Sequence, residues 1–110
     1  MSIIVNLRYQ GKNGNARKFA EEMISSGTVQ AIREEAGNQR YEYYSSLDDP
    51  ETILLIDSWE NQEAIDRHHD SPMMKKILEL REKYELSVTA ERYRSEEAGI
   101  PERDMKYIRK

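Results

Sequence analysis

The stretch Ile53–Met74, ILLIDSWENQEAIDRHHDSPMM, decides the fold. Ile53, Leu54, Leu55 and Ile56 form an unbroken aliphatic run of strand length, and Trp59, the only tryptophan of the chain, closes it. Asn61 then stands ready to cap a short helix that carries both histidines, His68 and His69. Ser71-Pro72 opens a second helix, because serine caps well and proline fits the first helical position, where no backbone N–H is required. An indole, two imidazoles and the pair Met73-Met74 therefore gather near one end of one sheet, and a small pocket is usually lined in this way.

Outward from this stretch the elements follow in order. Toward the N-terminus, Thr52–Trp59 pairs with the Tyr-rich run Asn38–Leu47 through the turn Asp48-Asp49-Pro50, giving a β-hairpin with Tyr41 and Tyr43 on one face and Glu42 and Tyr44 on the other. Before it, Ala16, Phe19, Ala20, Met23 and Ile24 make one helical stripe, which Asn13 or Asn15 is expected to cap. Gly27 interrupts that stripe, and Val29, Ile32 and Ala36 resume it, so the segment is one broken helix or two short ones. Ser2–Tyr9 alternates Ile3, Val5, Leu7 and Tyr9 against Ile4, Asn6 and Arg8, a central strand with both faces partly covered. Downstream, Met74, Ile77, Leu78 and Arg81 mark the inner face of the second helix, and Leu86–Tyr93 is the last strand.

Strand, helix, hairpin, helix, strand is the order of an α+β fold, a ferredoxin-like sandwich with helices on one face of an antiparallel sheet. Two of the four residues Ile53–Ile56 must then point away from the helices. Exposed apolar area of that kind marks an association surface, so the expectation is a homodimer packed sheet to sheet into a dimeric α/β barrel. Residues 1–93 form this domain. The arm from 94 to 110, rich in both charges and offering only Ile100, Met105, Tyr107 and Ile108 for burial, is expected to lie on the partner subunit or to be mobile.

A length of 110 residues suits one domain with one core. The absence of cysteine excludes a disulfide framework, a thiolate nucleophile and Cys-ligated metal sites, and with no leader pattern or long apolar run the expected location is cytoplasmic, away from any membrane. Acids and bases are interleaved around a net charge of −4, which argues against nucleic acid as a partner.

Among chemically capable residues, His68 and His69 come first. Adjacent helical residues diverge by about 100°, so one ring is expected inside and the other outside. Asp66 and His69 are the sole i, i+3 ligand pair, too common a spacing to make a metal site. A histidine on a short surface helix is most often solvated, and Trp59 alone reads as a large core residue whose indole N–H finds a carbonyl. Asn6 is a costly amide in an apolar strand unless it is hydrogen-bonded. The methionines suit either a core or the wall of a flat aromatic site. No phosphate-binding loop, nucleophile elbow or spaced acid pair is present, which removes kinase and hydrolase chemistry.

REEAGNQRYEYY (Arg33–Tyr44), DDPET (Asp48–Thr52), LIDSWENQEAIDRHHDSPMM (Leu55–Met74) and ERY (Glu91–Tyr93) together resemble the antibiotic biosynthesis monooxygenase family, in particular its small quinol-monooxygenase-like members. The likeness spans about residues 2 to 93 and leaves the tail outside. It implies a sheet-to-sheet dimer with its pocket between sheet and helices. It also implies a cofactor-independent monooxygenase that oxidises a small aromatic phenol or quinol with O2, using no metal or organic cofactor. By the same resemblance His68 is the catalytic proton acceptor, and Asn6 and Trp59 donate to the substrate oxyanion. Tyr43 and Met73 complete the expected substrate-binding lining. Relatives with a second histidine after Ser-Pro differ here, where Met73 stands, and the proximal histidine of haem-degrading relatives is absent between Glu79 and Lys83. Because the same fold serves several activities, a cofactor-free isomerase acting on a small carbonyl compound and a non-enzymatic dimeric binding protein are the alternatives.

Overall fold

The computed structural model describes residues 1–109; the last residue of the arm, Lys110, lies outside them. Four strands form one antiparallel sheet: β1 (Ile3–Gln10), β2 (Asn38–Ser45), β3 (Thr52–Trp59) and β4 (Ser87–Arg94), in the order β2-β3-β1-β4. Helices α1 (Asn15–Ser25), α2 (Thr28–Arg33), α3 (Gln62–His69) and α4 (Pro72–Lys83) cover one face, and a single turn of helix, α5 (Glu102–Met105), lies in the arm. This is the expected ferredoxin-like α+β arrangement.

Strand alternation sets the two faces of the sheet. Ile3 and Tyr9 of β1, Tyr41 of β2, and Ile53, Leu55 and Trp59 of β3 are buried beneath the helices, against Phe19 and Met23 of α1 and Ile77 and Leu80 of α4. Leu54 and Ile56 face the other way, as does Ile4, and each is only half-buried. The aliphatic run Ile53–Ile56 thus serves both faces.

Several local expectations change. The cap of α1 is Gly14, with φ of 77°, rather than Asn13 or Asn15; its N–H donates to the Glu51 carboxylate at 2.9 Å, and the Asn15 amide instead donates to the Tyr84 carbonyl at 3.1 Å. Gly27, at φ 81°, divides the helical stripe into α1 and α2. On α4 the core residues are Ile77, as expected, and Leu80, while Leu78 is about half exposed, because a helix of 3.6 residues per turn carries 77, 80 and 81 on one face and rotates 78 away. The arm leaves β4 through the pair Ser95 N–H to Ser2 carbonyl, 2.9 Å, and its apolar residues Ile100, Met105, Tyr107 and Ile108 are all exposed.

Candidate active site

Between the sheet and helices α3 and α4 lies a cavity of about 380 Å³, within the size range of small-ligand sites. Val5, Leu7 and Tyr9 of β1 form its floor with Asp57 and Trp59 of β3, and Ile65, Met74 and Ile77 roof it. Polar side chains enter this apolar space from each element around it: Gln62, His68 and His69 from α3, Arg81 from α4, Arg92 from β4, Tyr41 from β2, and Tyr9 and Asp57 from the floor.

Helix α3 delivers His68. The Asn61 side chain accepts from the Ala64 N–H at 2.9 Å and starts the helix, so Ala64, Ile65 and His68 share the inward face. His68 is 5% exposed, and its ring lies 4.8 Å from the Trp59 indole between centroids. Nδ1 meets Oε2 of Glu35 at 2.7 Å. A carboxylate only accepts, so Nδ1 carries the proton, and in the neutral ring the lone pair is left on Nε2. Burial pulls the His68 pKa down, and the Glu35 charge and hydrogen bond oppose that pull. The imidazole is therefore neutral near pH 7 and oriented by a carboxylate.

Glu35 owes its place to the turn between α2 and β2. Arg33 donates through Nε and Nη2 to the Tyr41 carbonyl, at 3.0 and 2.8 Å, which clamps the end of α2 to β2. Gly37 crosses the base of α3 at φ 87°, where a Cβ would come within 2.6 Å of Ala64 Cβ. That close approach is what brings the Glu35 turn against His68.

Asp57 and Arg81 are two more of the ionisable groups that face the cavity. Asp57 is 7% exposed, and its Oδ1 accepts from the Trp59 indole N–H. Burial pushes its pKa up to about 7, the indole hydrogen bond working against this and the Glu35 charge with it. Arg81 donates from Nη2 to the Tyr9 hydroxyl at 3.2 Å, while its Nε is buried and unpartnered. Among the described residues it has no carboxylate partner, so its charge is available to an anion in the cavity.

The residues expected from sequence are divided by this geometry. His68 and Trp59 line the cavity together. His69 borders it as well: it sits exposed at the rim with its ring 5.9 Å from His68, because α3 ends there and the cavity mouth wraps its last turn. Trp59 gives its N–H to Asp57 and not to a backbone carbonyl or a free site. Asn6 falls on the opposite face of the sheet, paired with Ile56 and Glu91, and its Oδ1 is buried without a partner; it does not line this cavity. Tyr43 packs edge-on between Phe19 and Tyr41 in the core behind the lining. Met73 borders a shallow depression beside Gly27 and Thr28, and its neighbour Met74 takes the cavity wall.

Glu35 and Asp57 were not named from sequence, and Arg81 was read only as part of the inner face of its helix. Asp57 carried a signal, since it alternates with Leu55 and Trp59 on the buried face of an apolar strand. Arg81 did too, as a charge in register with Met74 and Ile77. Glu35 lies in a turn among other acids and had none. Among the described residues no three histidine or acidic side chains converge as metal ligands, and no helix is long and apolar enough to cross a membrane.

The fold and site together define a ferredoxin-like α+β protein with a mostly apolar cavity under its helices, entered by an oriented imidazole. The chain belongs to the antibiotic biosynthesis monooxygenase family, whose model matches residues 2–80. No curated protein matches it significantly. Among solved structures it is similar to SnoaB from Streptomyces nogalater, a cofactor-independent oxygenase, at 12% identity over 87% of this chain and 94% of that one, with a TM-score of 0.71. It is likewise similar to a conserved protein from Methanosarcina mazei Go1, at 22% identity over 87% and 94% of the two chains, TM-score 0.74. PA3566 from Pseudomonas aeruginosa matches at 21% identity over 86% and 95%, TM-score 0.73. These likenesses define the fold.

Proposed function

We propose that the protein is a cofactor-independent monooxygenase that oxidises a small phenol or quinol with O2, with His68 as the base. The observation that carries this reading is the Glu35–His68 pair opening on an apolar cavity. A phenol has little tendency to reduce O2, whereas its anion is electron-rich and can pass an electron to it. What the protein must provide is a base, a partner for the oxyanion and a dry space. His68 Nε2 takes the phenolic proton, and Glu35 stabilises the imidazolium that forms. Arg81, with no carboxylate of its own, balances the phenolate. The aromatic and aliphatic lining holds the ring and excludes water. Membership of a monooxygenase family and the likeness to an oxygenase that works without a cofactor support the same reading.

The active species in this proposal is a homodimer, in which a second copy covers Ile4, Leu54 and Ile56. Asn6, on that covered face, then belongs to the interface and not to the substrate.

Oxygen uptake by metal-stripped protein across a panel of quinols and phenols tests the activity. Consumption with at least one of them, abolished by heat-unfolding the protein, is expected. Turnover of a small carbonyl compound with no O2 consumed on any phenol would replace the oxygenase by the isomerase.

A further inference from the structure

Oxygenating a ring carbon needs proton transfers beyond the first deprotonation, and the Glu35–His68 pair accounts for only one. Asp57 is the remaining acidic group in the cavity that could serve. It occupies a core position of β3, between Leu55 and Trp59 on the same face, where an aliphatic residue would bury more apolar surface and carry no desolvation cost. No cation lies within ion-pair distance of it among the described residues, and the only side-chain hydrogen bond it receives is from the Trp59 indole to Oδ1. Its second oxygen is left for the cavity that Asp57 lines. A carboxylate so placed is under-compensated and a carboxylic acid is not.

We propose that Asp57 is the second proton-transferring group of this oxygenation, giving a proton to the peroxide and then taking one from the ring carbon. The proposal rests on the oxygenase reading above. Written out, neutral His68 removes the phenolic proton. The phenolate passes one electron to O2, and the radical pair joins to form a C–O bond, leaving a peroxide anion on a ring carbon that still bears its hydrogen. The Asp57 acid protonates the distal oxygen. Asp57, now a carboxylate, removes the hydrogen of that carbon as the O–O bond breaks, and the departing hydroxide takes the proton from the His68 imidazolium. Phenol and O2 become quinone and water, and both residues return to their starting states. A group that both gives and takes a proton works best when its pKa is near the working pH, and burial brings Asp57 there.

The charged and titratable groups around Asp57 come from every neighbouring element: Tyr9 on β1, Tyr41 and Tyr43 on β2, Glu35 before β2, His68 and His69 on α3, Arg81 on α4 and Arg92 on β4. The pH dependence expected is a bell, with the acidic limb set by protonation of His68 and the basic limb by ionisation of Asp57.

The test compares wild type, Asp57→Asn and Asp57→Glu on the best substrate of the quinol and phenol panel, following O2, quinone and hydrogen peroxide together. Asparagine keeps the shape and can still accept from the Trp59 indole, but it transfers no proton. In Asp57→Asn, quinone formation is expected to fall about 100-fold, the usual scale for a positioned acid or base. The O2 still consumed should leave as superoxide from the unproductive radical pair, two of which disproportionate with two protons to hydrogen peroxide and O2, and the basic limb should vanish. Asp57→Glu should restore both quinone formation and that limb. Unchanged quinone formation and an unchanged pH profile in Asp57→Asn would overturn the proposal while the wild-type oxygen uptake leaves the oxygenase reading standing. Equal losses in both variants would reduce Asp57 to holding Trp59 in place and would overturn it as well. A wild type that consumes no O2 overturns the oxygenase reading and this proposal with it. Carbon-13 NMR of the Asp57 carboxyl in the unmodified protein gives a check independent of any variant: a side chain ionised throughout pH 5 to 8 would contradict the proposal.

Discussion

Burial alone would make His68 a poor base, because an imidazole without water around it resists taking a proton. Glu35 offsets part of that resistance and, by holding Nδ1–H, fixes which nitrogen can act. On the best substrate found, His68→Ala is expected to cut kcat by roughly 10²-fold or more, and His69→Ala, removing an exposed rim residue, far less. Equal losses would remove His68 from its role. Glu35→Gln takes away a charge that raises the His68 pKa, so the acidic limb of the rate profile should move to lower pH; movement to higher pH would contradict the pairing. Asp57 has the opposite linkage. Its folded pKa is raised from 3.8 to about 7, so between those values the folded state binds more protons than the unfolded state, and stability falls as pH rises through that window. The slope is at most about 1.4 kcal/mol per pH unit. Urea unfolding of wild type and Asp57→Asn should therefore show the variant gaining on the wild type from about pH 4 to 7. Parallel curves would mean that Asp57 is not the buried acid described.

The elements place these residues through two close approaches: the Asn61-capped α3 over the sheet, and the Gly37 turn beneath α3. Gly37→Ala is expected to cost about 1–2 kcal/mol for its left-handed backbone alone, and more for the contact with Ala64. It should also loosen the Glu35–His68 bond, seen as a change in the His68 titration by NMR. A variant as stable as wild type with an unchanged titration would show that the turn does not set the site. The strands and helices were legible in the sequence because each depends on a local period; Ile53–Trp59 and Asn61 act as that pattern predicts and Pro72 opens α4, but the Ser71 hydroxyl makes no cap bond and donates instead to the His68 carbonyl at 2.7 Å. The expected members Asn6 and Met73 fell elsewhere because of direction. A strand residue faces one side or the other according to its parity with its partners, so Asn6 follows Ile56 outward while Asp57 follows Val5 inward. Met73 and Met74 differ by one helical step, which is enough to exchange the cavity for the shallow depression beside Gly27 and Thr28. Glu35 came into contact with His68 only through folding, across 33 residues of chain, and no local pattern carries such a contact.

At the scale of the whole molecule, the sheet has one face under helices and one without. Leu54, Ile56 and Ile4 remain half-buried on the second, around the unpartnered Asn6 amide, as an interface core would. Ile56→Lys is expected to convert a dimer into monomer or aggregate by sedimentation, since an unpaired charge in such a core is costly. A monomeric wild type would remove the second copy from the account. The cavity lies on the other face, so substrate binding and dimer formation are separable measurements. Ionisation of a phenol within that cavity, by proton transfer to His68, is the step on which the proposed activity depends. It is tested most directly without oxygen, by recording the ultraviolet absorption of a bound phenol or quinol below its own pKa. The phenolate spectrum is expected with wild type and its loss with His68→Ala at unchanged occupancy. A bound substrate that stays protonated in the wild type, or ionises equally in His68→Ala, would contradict the account.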